Sequence, residues 1–311
     1  MILTITLNPA IDKEYLLEEQ LSSGYQRALK SRRSPGGSGV NVAWMLRQLG
    51  HDVLATGFVA GWGGDELATT LRSHGVTTNF SVVQGELATN VHLVDLKEGG
   101  ETCILEEGLT VTEAQCERFF KSFERMLRRV SAVAMGTSLP QGITPAFLTS
   151  LARRTQEAGL PLFVNSEGAI SVELEELAPF FVNYTPRHLL GHQREVNRDE
   201  NIALLRRARD CGISWAVSSC QEEGELFASQ DGLWLARLPD GEKVGSTYTF
   251  DDALSAGVIS AHRRNLKGEA LVRFAMACAP EDSKHKFKGL RGLDEVRCNC
   301  DSILVERLDL S

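Results

Sequence analysis

Apolar positions along the chain switch between two periods. Short apolar runs at residues 3–7, 53–58, 132–135, 162–164, 180–183 and 215–218 fit buried strands. Between them, residues 40–49, 65–74, 112–130, 145–158 and 198–209 carry apolar side chains at helical spacing. Gly50 and Gly75 follow two of these stretches as helix stops, and Thr112 stands where an N-cap belongs. Strand and helix in alternation predict an α/β fold: a mostly parallel central sheet flanked by helices. Residues 11–34 and 88–107 break the alternation. They hold short alternating runs with no helix period, and predict a small β-sheet lid projecting from the main sheet. No Pro/Gly/Ser-rich linker interrupts the 311 residues, which predicts a single domain over 1–311.

Charge narrows the function. The chain has 33 Lys and Arg against 41 Asp and Glu, a net charge of -8. That balance argues against nucleic acid as a partner, since nonspecific binding needs a basic face. No apolar run approaches ~18 residues, so no membrane span is expected. Residues 1–8 lack a basic leader and read as a strand, and the seven cysteines are scattered and odd in number. Both features fit a reduced, cytoplasmic protein. Cys298 and Cys300 form a C-x-C pair with no second pair at metal-site spacing, which speaks against zinc there.

Open parallel sheets bind ligands beyond the carboxyl ends of their strands. The first strand runs into Asn8-Pro9-Ala10-Ile11-Asp12, where Asp12 suits either ligand hydroxyls or an Asx-type turn. Gly36-Gly37-Ser38-Gly39-Val40-Asn41 then opens a helix, and its glycines let backbone approach a ligand closely. Further on stand Thr56-Gly57-Phe58 with Gly61, Gly64 and Asp65, then Thr89-Asn90-Val91, and Gly136-Thr137-Ser138-Leu139-Pro140-Gln141-Gly142.

In order and spacing these segments resemble the ribokinase-like carbohydrate kinases, specifically the phosphofructokinase B group. The 1-phosphofructokinase and tagatose-6-phosphate kinase branch is the most similar. The likeness covers about residues 1–265. It implies that Asp12, Gly36, Gly37, Asn41 and Asn90 contact the sugar, and that the lid closes over it and pairs with a second subunit as a homodimer. Arg27 falls where relatives place a basic residue near the substrate phosphate; a solvated lid charge is the plainer reading. Two departures bear on that phosphate: Ala88 stands where relatives carry Arg, and Ser38 where many carry Lys. Lys30, Arg32, Arg33 and His92 are candidates to compensate.

The donor side departs further. Relatives transfer phosphate from ATP, with Mg2+, over a Gly-Ala-Gly-Asp loop whose Asp lies five residues before a glycine. Counting back from Gly257 makes Asp252 the matching general base, with Asp251 as the alternative. Thr247 matches a Ser or Thr before the loop, while Thr249, Phe250 and Asp251 replace Gly-Ala-Gly. Thr and Phe are expected to resist conformations that glycine permits. Asp251 adds negative charge near the phosphate, a repulsion of about 4 kcal/mol at ~4 Å and an effective dielectric near 20. A bound Mg2+ would reverse its sign, and a simple helix N-cap is the alternative role for Asp251. The family's Asn-x-x-Glu maps onto Thr185 and His188, its preceding Lys-Pro onto Asn183 and Tyr184. Its nucleotide loop maps onto Ser218-Ser219-Cys220 and residues 221–224, ending at Gly224. Two readings follow. One is an ATP-dependent kinase of a sugar or sugar phosphate. The other is a non-catalytic relative that binds a sugar or nucleotide.

Overall fold

The computed structural model describes residues 1–19, 22–97, 100–166, 170–184, 197–220, 223–239, 249–283, 289–290 and 292–308, with side chains 280–283 left aside. The chain opens with β1 (Ile2–Thr6), β2 (Ala10–Leu17), β3 (Lys30–Gly36), α1 (Ser38–Gln48), β4 (Val53–Val59) and α2 (Gly61–Ser73). It continues through β5 (Thr77–Thr78), β6 (Ser81–Val82), β7 (Ala88–Asp95), β8 (Glu101–Ile104), α3 (Glu113–Leu127) and β9 (Val133–Gly136). Next come α4 (Pro145–Glu157), β10 (Leu162–Asn165), α5 (Val172–Glu175), β11 (Phe181–Asn183), α6 (Arg198–Asp210) and β12 (Trp215–Ser219). The described chain closes with β13 (Glu225–Ser229), β14 (Gly232–Arg237), α7 (Phe250–Arg263), α8 (Gly268–Ser283), α9 (Leu293–Cys300) and β15 (Leu304–Leu308).

Two sheets result. The main one runs β15-β14-β13-β12-β11-β10-β9-β1-β4-β5, with β6 also on β4. Its pairs are parallel from β5 to β12. Strands β1, β4, β9, β10 and β11 are buried throughout, as parallel strands covered on both faces must be. Alternation with helices stops after β12: β13, β14 and β15 extend the sheet antiparallel. The basic segment 284–291, which reads from sequence as a solvated loop or helix start, lies outside the described residues except for 289 and 290, and the stretch beyond it holds α9 and an edge strand, with Leu308 opposite Leu233.

Local signals account for much of this. Thr112 caps α3, its backbone N–H donating to Gln115 Oε1 at 2.7 Å. The apolar stripe of α3 buries Phe119 and Phe123 completely, and each Phe→Ala change there would cost ~3–5 kcal/mol. Gly257 lets α7 lie against α8, since a Cβ there would come within 2.7 Å of Ala275 Cα. Helices α1 and α7 also pack together, which sets their N-termini side by side.

The second sheet, β3-β2-β7-β8, stands apart from the first, as the two irregular stretches predict. Strand β2 pairs antiparallel with β3 and parallel with β7. Among the described residues, no helix is long and apolar enough to cross a membrane.

Candidate active site

Parallel strands end along one edge of the main sheet, and the residues at those ends carry the polar groups. Asn165 ends β10, Asn183 ends β11, and Asn8 follows β1. Helices α1 and α7 begin at this edge.

Asp252 is the centre of the arrangement. It lies in the first turn of α7 and is buried. Its Oδ1 accepts from Ser38 Oγ at 2.6 Å and from Asn165 Nδ2 at 2.6 Å. Its Oδ2 accepts from Asn41 Nδ2 at 2.8 Å. Asn165 Nδ2 also reaches Ser38 Oγ at 2.8 Å, which closes the cluster. All three partners are neutral donors, and a hydrogen bond to a charged group contributes ~1.5–3 kcal/mol. Asn165 Oδ1 and Asn8 Oδ1 are buried acceptors with no hydrogen-bond partner among the described residues.

The altered loop before Asp252 is unstrained. Thr249 is the N-cap of α7, with φ -112° and ψ 4°. No residue from 249 to 252 takes a positive φ, so the expected resistance of Thr and Phe does not arise. Phe250 begins the helix with its ring fully buried. Asp251 is thus the second helical residue and not the N-cap. An acidic side chain in a helix's first turn is favoured by the helix dipole, by ~0.3–1 kcal/mol. Asn183 Nδ2 donates to Asp251 O and to Ser255 Oγ, both at 3.4 Å, and ties this turn to β11.

Asp12 forms a second buried centre. It sits within β2, opposite Ser34 and Asn90, which rules out the Asx-turn alternative. Its Oδ1 accepts from Asn90 Nδ2 at 3.2 Å and lies 3.7 Å from His92 Nε2. Gly36 is required because a Cβ there would overlap the Asp12 carboxylate. Gly37 takes φ 101° as the N-cap of α1, a conformation glycine favours. Asp12 and Asp252 are therefore bridged by a short segment: Gly36 touches one carboxylate and Ser38 binds the other.

His92 is the inward-facing member of the four compensating candidates. Burial pushes its pKa down, but Asp12, Cys103 and Glu101 around the ring outweigh burial and raise it to about 11. Arg33 is engaged by Glu66 at 2.8 and 3.1 Å, Arg32 lies over the Trp44 ring at 5.4 Å, and Lys30 is exposed. Arg27 is exposed between β2 and β3, and no hydrogen bond or ion pair joins it to either centre.

On the nucleotide side, Ser218 is buried and donates to Asn201 Oδ1 at 2.6 Å. Gly224, with φ 116°, closes the turn between β12 and β13, its carbonyl accepting from the Cys220 N–H at 2.8 Å. Thr185, His188, Gln221 and Thr247 lie outside the described residues. Sequence reading missed two positions that the structure brings to Asp252. Ser38 registers there only as a missing lysine, and Asn165 passes unnoticed. The signal for Asn165 is a polar residue at the carboxyl end of an apolar strand.

Comparison with known proteins gives a family. The family model for pfkB family carbohydrate kinases matches residues 5–281. A solved structure from Thermotoga maritima, named as a possible 1-phosphofructokinase, is similar at 28% identity and TM-score 0.88, covering 99% of this chain and 100% of that one. Phosphofructokinase-2 from Escherichia coli, in complex with substrates and products, is similar at 21% identity and TM-score 0.79, covering 96% and 98%. The tetrameric inhibited form of that Escherichia coli protein is similar at 22% identity and TM-score 0.75, with the same coverage.

Proposed function

Since the chain belongs to the pfkB family of carbohydrate kinases, we propose that it transfers the γ-phosphoryl group of ATP to a hydroxyl of a sugar phosphate, with Asp252 as general base. Fructose 1-phosphate, fructose 6-phosphate and tagatose 6-phosphate are the acceptor types it is expected to take. The observation that carries this reading is the Asp252 carboxylate, buried at a helix N-terminus and held by Ser38, Asn41 and Asn165.

The acceptor hydroxyl gives its proton to Asp252 while its oxygen bonds to the γ-phosphorus. The bond from that phosphorus to the β–γ bridging oxygen breaks, and ADP leaves. The first amides of a helix lack intrahelical acceptors, and in α7 the internal ladder starts with the Ala253 N–H to the Thr249 carbonyl, at 2.9 Å. The positive end of the helix favours charge developing there. Ser38 and Asn165 orient the base, and the buried Asn165 and Asn8 oxygens suit hydroxyl donors of a sugar. Asp12 and Asn90 are the further sugar contacts, with His92 beside them and Arg27 available for the substrate phosphate.

A divalent ion, Mg2+ in this reading, fits the donor set. Asp251 offers a hard carboxylate oxygen in the same first turn, and Mg2+ is commonly held by one or two carboxylates plus phosphates and water. Held there, it would supply positive charge to offset the donor phosphates. The small sheet then acts as the lid. Its exposed Tyr25, Leu29, Ile104 and Leu105 support a homodimer formed lid to lid.

ADP release from ATP and Mg2+ tests the proposal against the three sugar phosphates and their free sugars, with Asp252→Asn as control. Substrate-dependent release that the substitution removes is the expected result. Silence across the panel, with sugar or ATP still binding by calorimetry, would make the chain a binding-only relative.

A further inference from the structure

The small sheet gathers three metal-binding side chains that lie far apart in metal-motif terms. His92 on β7 and Cys103 on β8 are direct cross-strand partners. Glu101, opposite Val94, lies one step along the same face. His92 Nδ1 is 3.1 Å from Cys103 Sγ and 3.5 Å from Glu101 Oε1, and Cys103 Sγ is 3.7 Å from that oxygen. Among the described residues this is the one trio of His, Cys and carboxylate groups with ligand atoms so close together.

We infer that His92 Nδ1, Cys103 Sγ and Glu101 form a three-ligand zinc site on the small sheet. A tetrahedral Zn2+ with Zn–N, Zn–S and Zn–O bonds of ordinary length needs ligand atoms about 3.3–3.6 Å apart, close to the separations found. Mixed thiolate, imidazole and carboxylate ligands select zinc over Mg2+ or Ca2+, which prefer all-oxygen shells. The other face of the ring strengthens the case. His92 Nε2 lies 3.7 Å from Asp12 Oδ1, and ligating histidines commonly turn their second nitrogen to a carboxylate. Binding displaces the thiol proton of Cys103 and any proton on Nδ1, and leaves the fourth position to water or a ligand oxygen. One imidazole would thus join the metal to the carboxylate assigned to the sugar. The site itself does not depend on the kinase reading, because metal binding is measured directly.

The test uses the full chain carrying Cys298→Ser and Cys300→Ser, so that the C-x-C pair cannot supply ligands. Zn2+ titrated in the presence of excess Mg2+ should bind at one site with a Kd near or below about 1 μM. Co2+ in its place should give a thiolate-to-metal absorption band in the near ultraviolet. Adding Cys103→Ser, at an exposed position, should remove the band and weaken Zn2+ binding by at least about tenfold, and Glu101→Gln should weaken it as well. Absence of a one-to-one site would overturn the inference and leave His92 with a proton alone. So would a site that survives both Cys103→Ser and Glu101→Gln.

Discussion

Two buried aspartates stand at the same edge of the molecule, and they are held in opposite ways. Asp12 is set by strand register: Ser34 and Asn90 are its cross-strand partners, and the His92 ring lies 3.7 Å away. Among the described residues, Asp252 accepts from three neutral donors, drawn from the start of α1 and the end of β10. Strand register fixes where the Asp12 carboxylate stands, which suits a binding group. Donors from two separate elements fix the direction in which the Asp252 carboxylate points, which suits a base that must meet one hydroxyl. The contrast also bears on the changed loop, because residues 38, 41 and 165, all outside it, hold Asp252.

The strongest way to break this contrast is Asp252→Asn. It should lower kcat by about 10²–10⁴, with sugar affinity near the unsubstituted value. Retained turnover would move the base to Asp251. Next comes Asp12→Ala, which should weaken sugar binding by about 10–100-fold, the equivalent of one lost charged hydrogen bond, while circular dichroism stays unchanged. Unchanged affinity by calorimetry would remove Asp12 from the site. Ser38→Ala sharpens the comparison further. Losing one hydrogen bond to a charged group, at the low end about 1.5 kcal/mol, should lower kcat by about 10-fold and leave the sugar KM almost unmoved. A change in KM alone would make Ser38 a sugar contact and not a positioning residue.

The smallest effect concerns how α1 and α7 are clamped. Beyond the far end of α1, His51 Nε2 lies 2.8 Å from Ser260 Oγ of α7. Burial, then the charges of Arg264 and Arg263, lower the His51 pKa from 6.5 to about 4. The folded protein therefore binds fewer protons than the unfolded chain between those two values. Stability should fall as pH drops from about 6.5 to about 4 and level off below, because the unfolded state gains protons that the folded state refuses. Thermal unfolding measured down this range should show a shallower decline in His51→Gln. An equal decline in both proteins would put the acid sensitivity elsewhere.

Most elements were legible because their causes are local. Apolar period, Thr112 as a cap and glycines past helix ends act over a few residues, and the structure puts α3 and α4 within a few residues of the stretches that predict them. The Asn8–Asp12 turn, the glycines and Asn41 of the α1 loop and the Gly136–Gly142 segment carried the family resemblance by order and spacing, and the position of Asp252 before Gly257 followed from it. The antiparallel strands β13 to β15 were not legible as an edge, since strand direction depends on which neighbour offers free backbone groups. Ser38 and Asn165 were invisible for a similar reason. Their partner Asp252 lies 214 and 87 residues away, and no spacing rule connects such positions.

Cysteine spacing shows the same boundary. A search by motif stops at Cys298 and Cys300, whereas the hairpin of β7 and β8 sets Cys103 opposite His92 through strand register. By itself the sequence determined the order of strands and helices, the acidic charge balance and the family of carbohydrate kinases, because period, composition and motif are properties of neighbouring residues. Only the tertiary structure decided which donors meet Asp252, which ring meets Asp12 and which face of the small sheet gathers three ligands. Those are set by packing of α1 against α7 and by cross-strand pairing, where proximity in space replaces proximity in the chain.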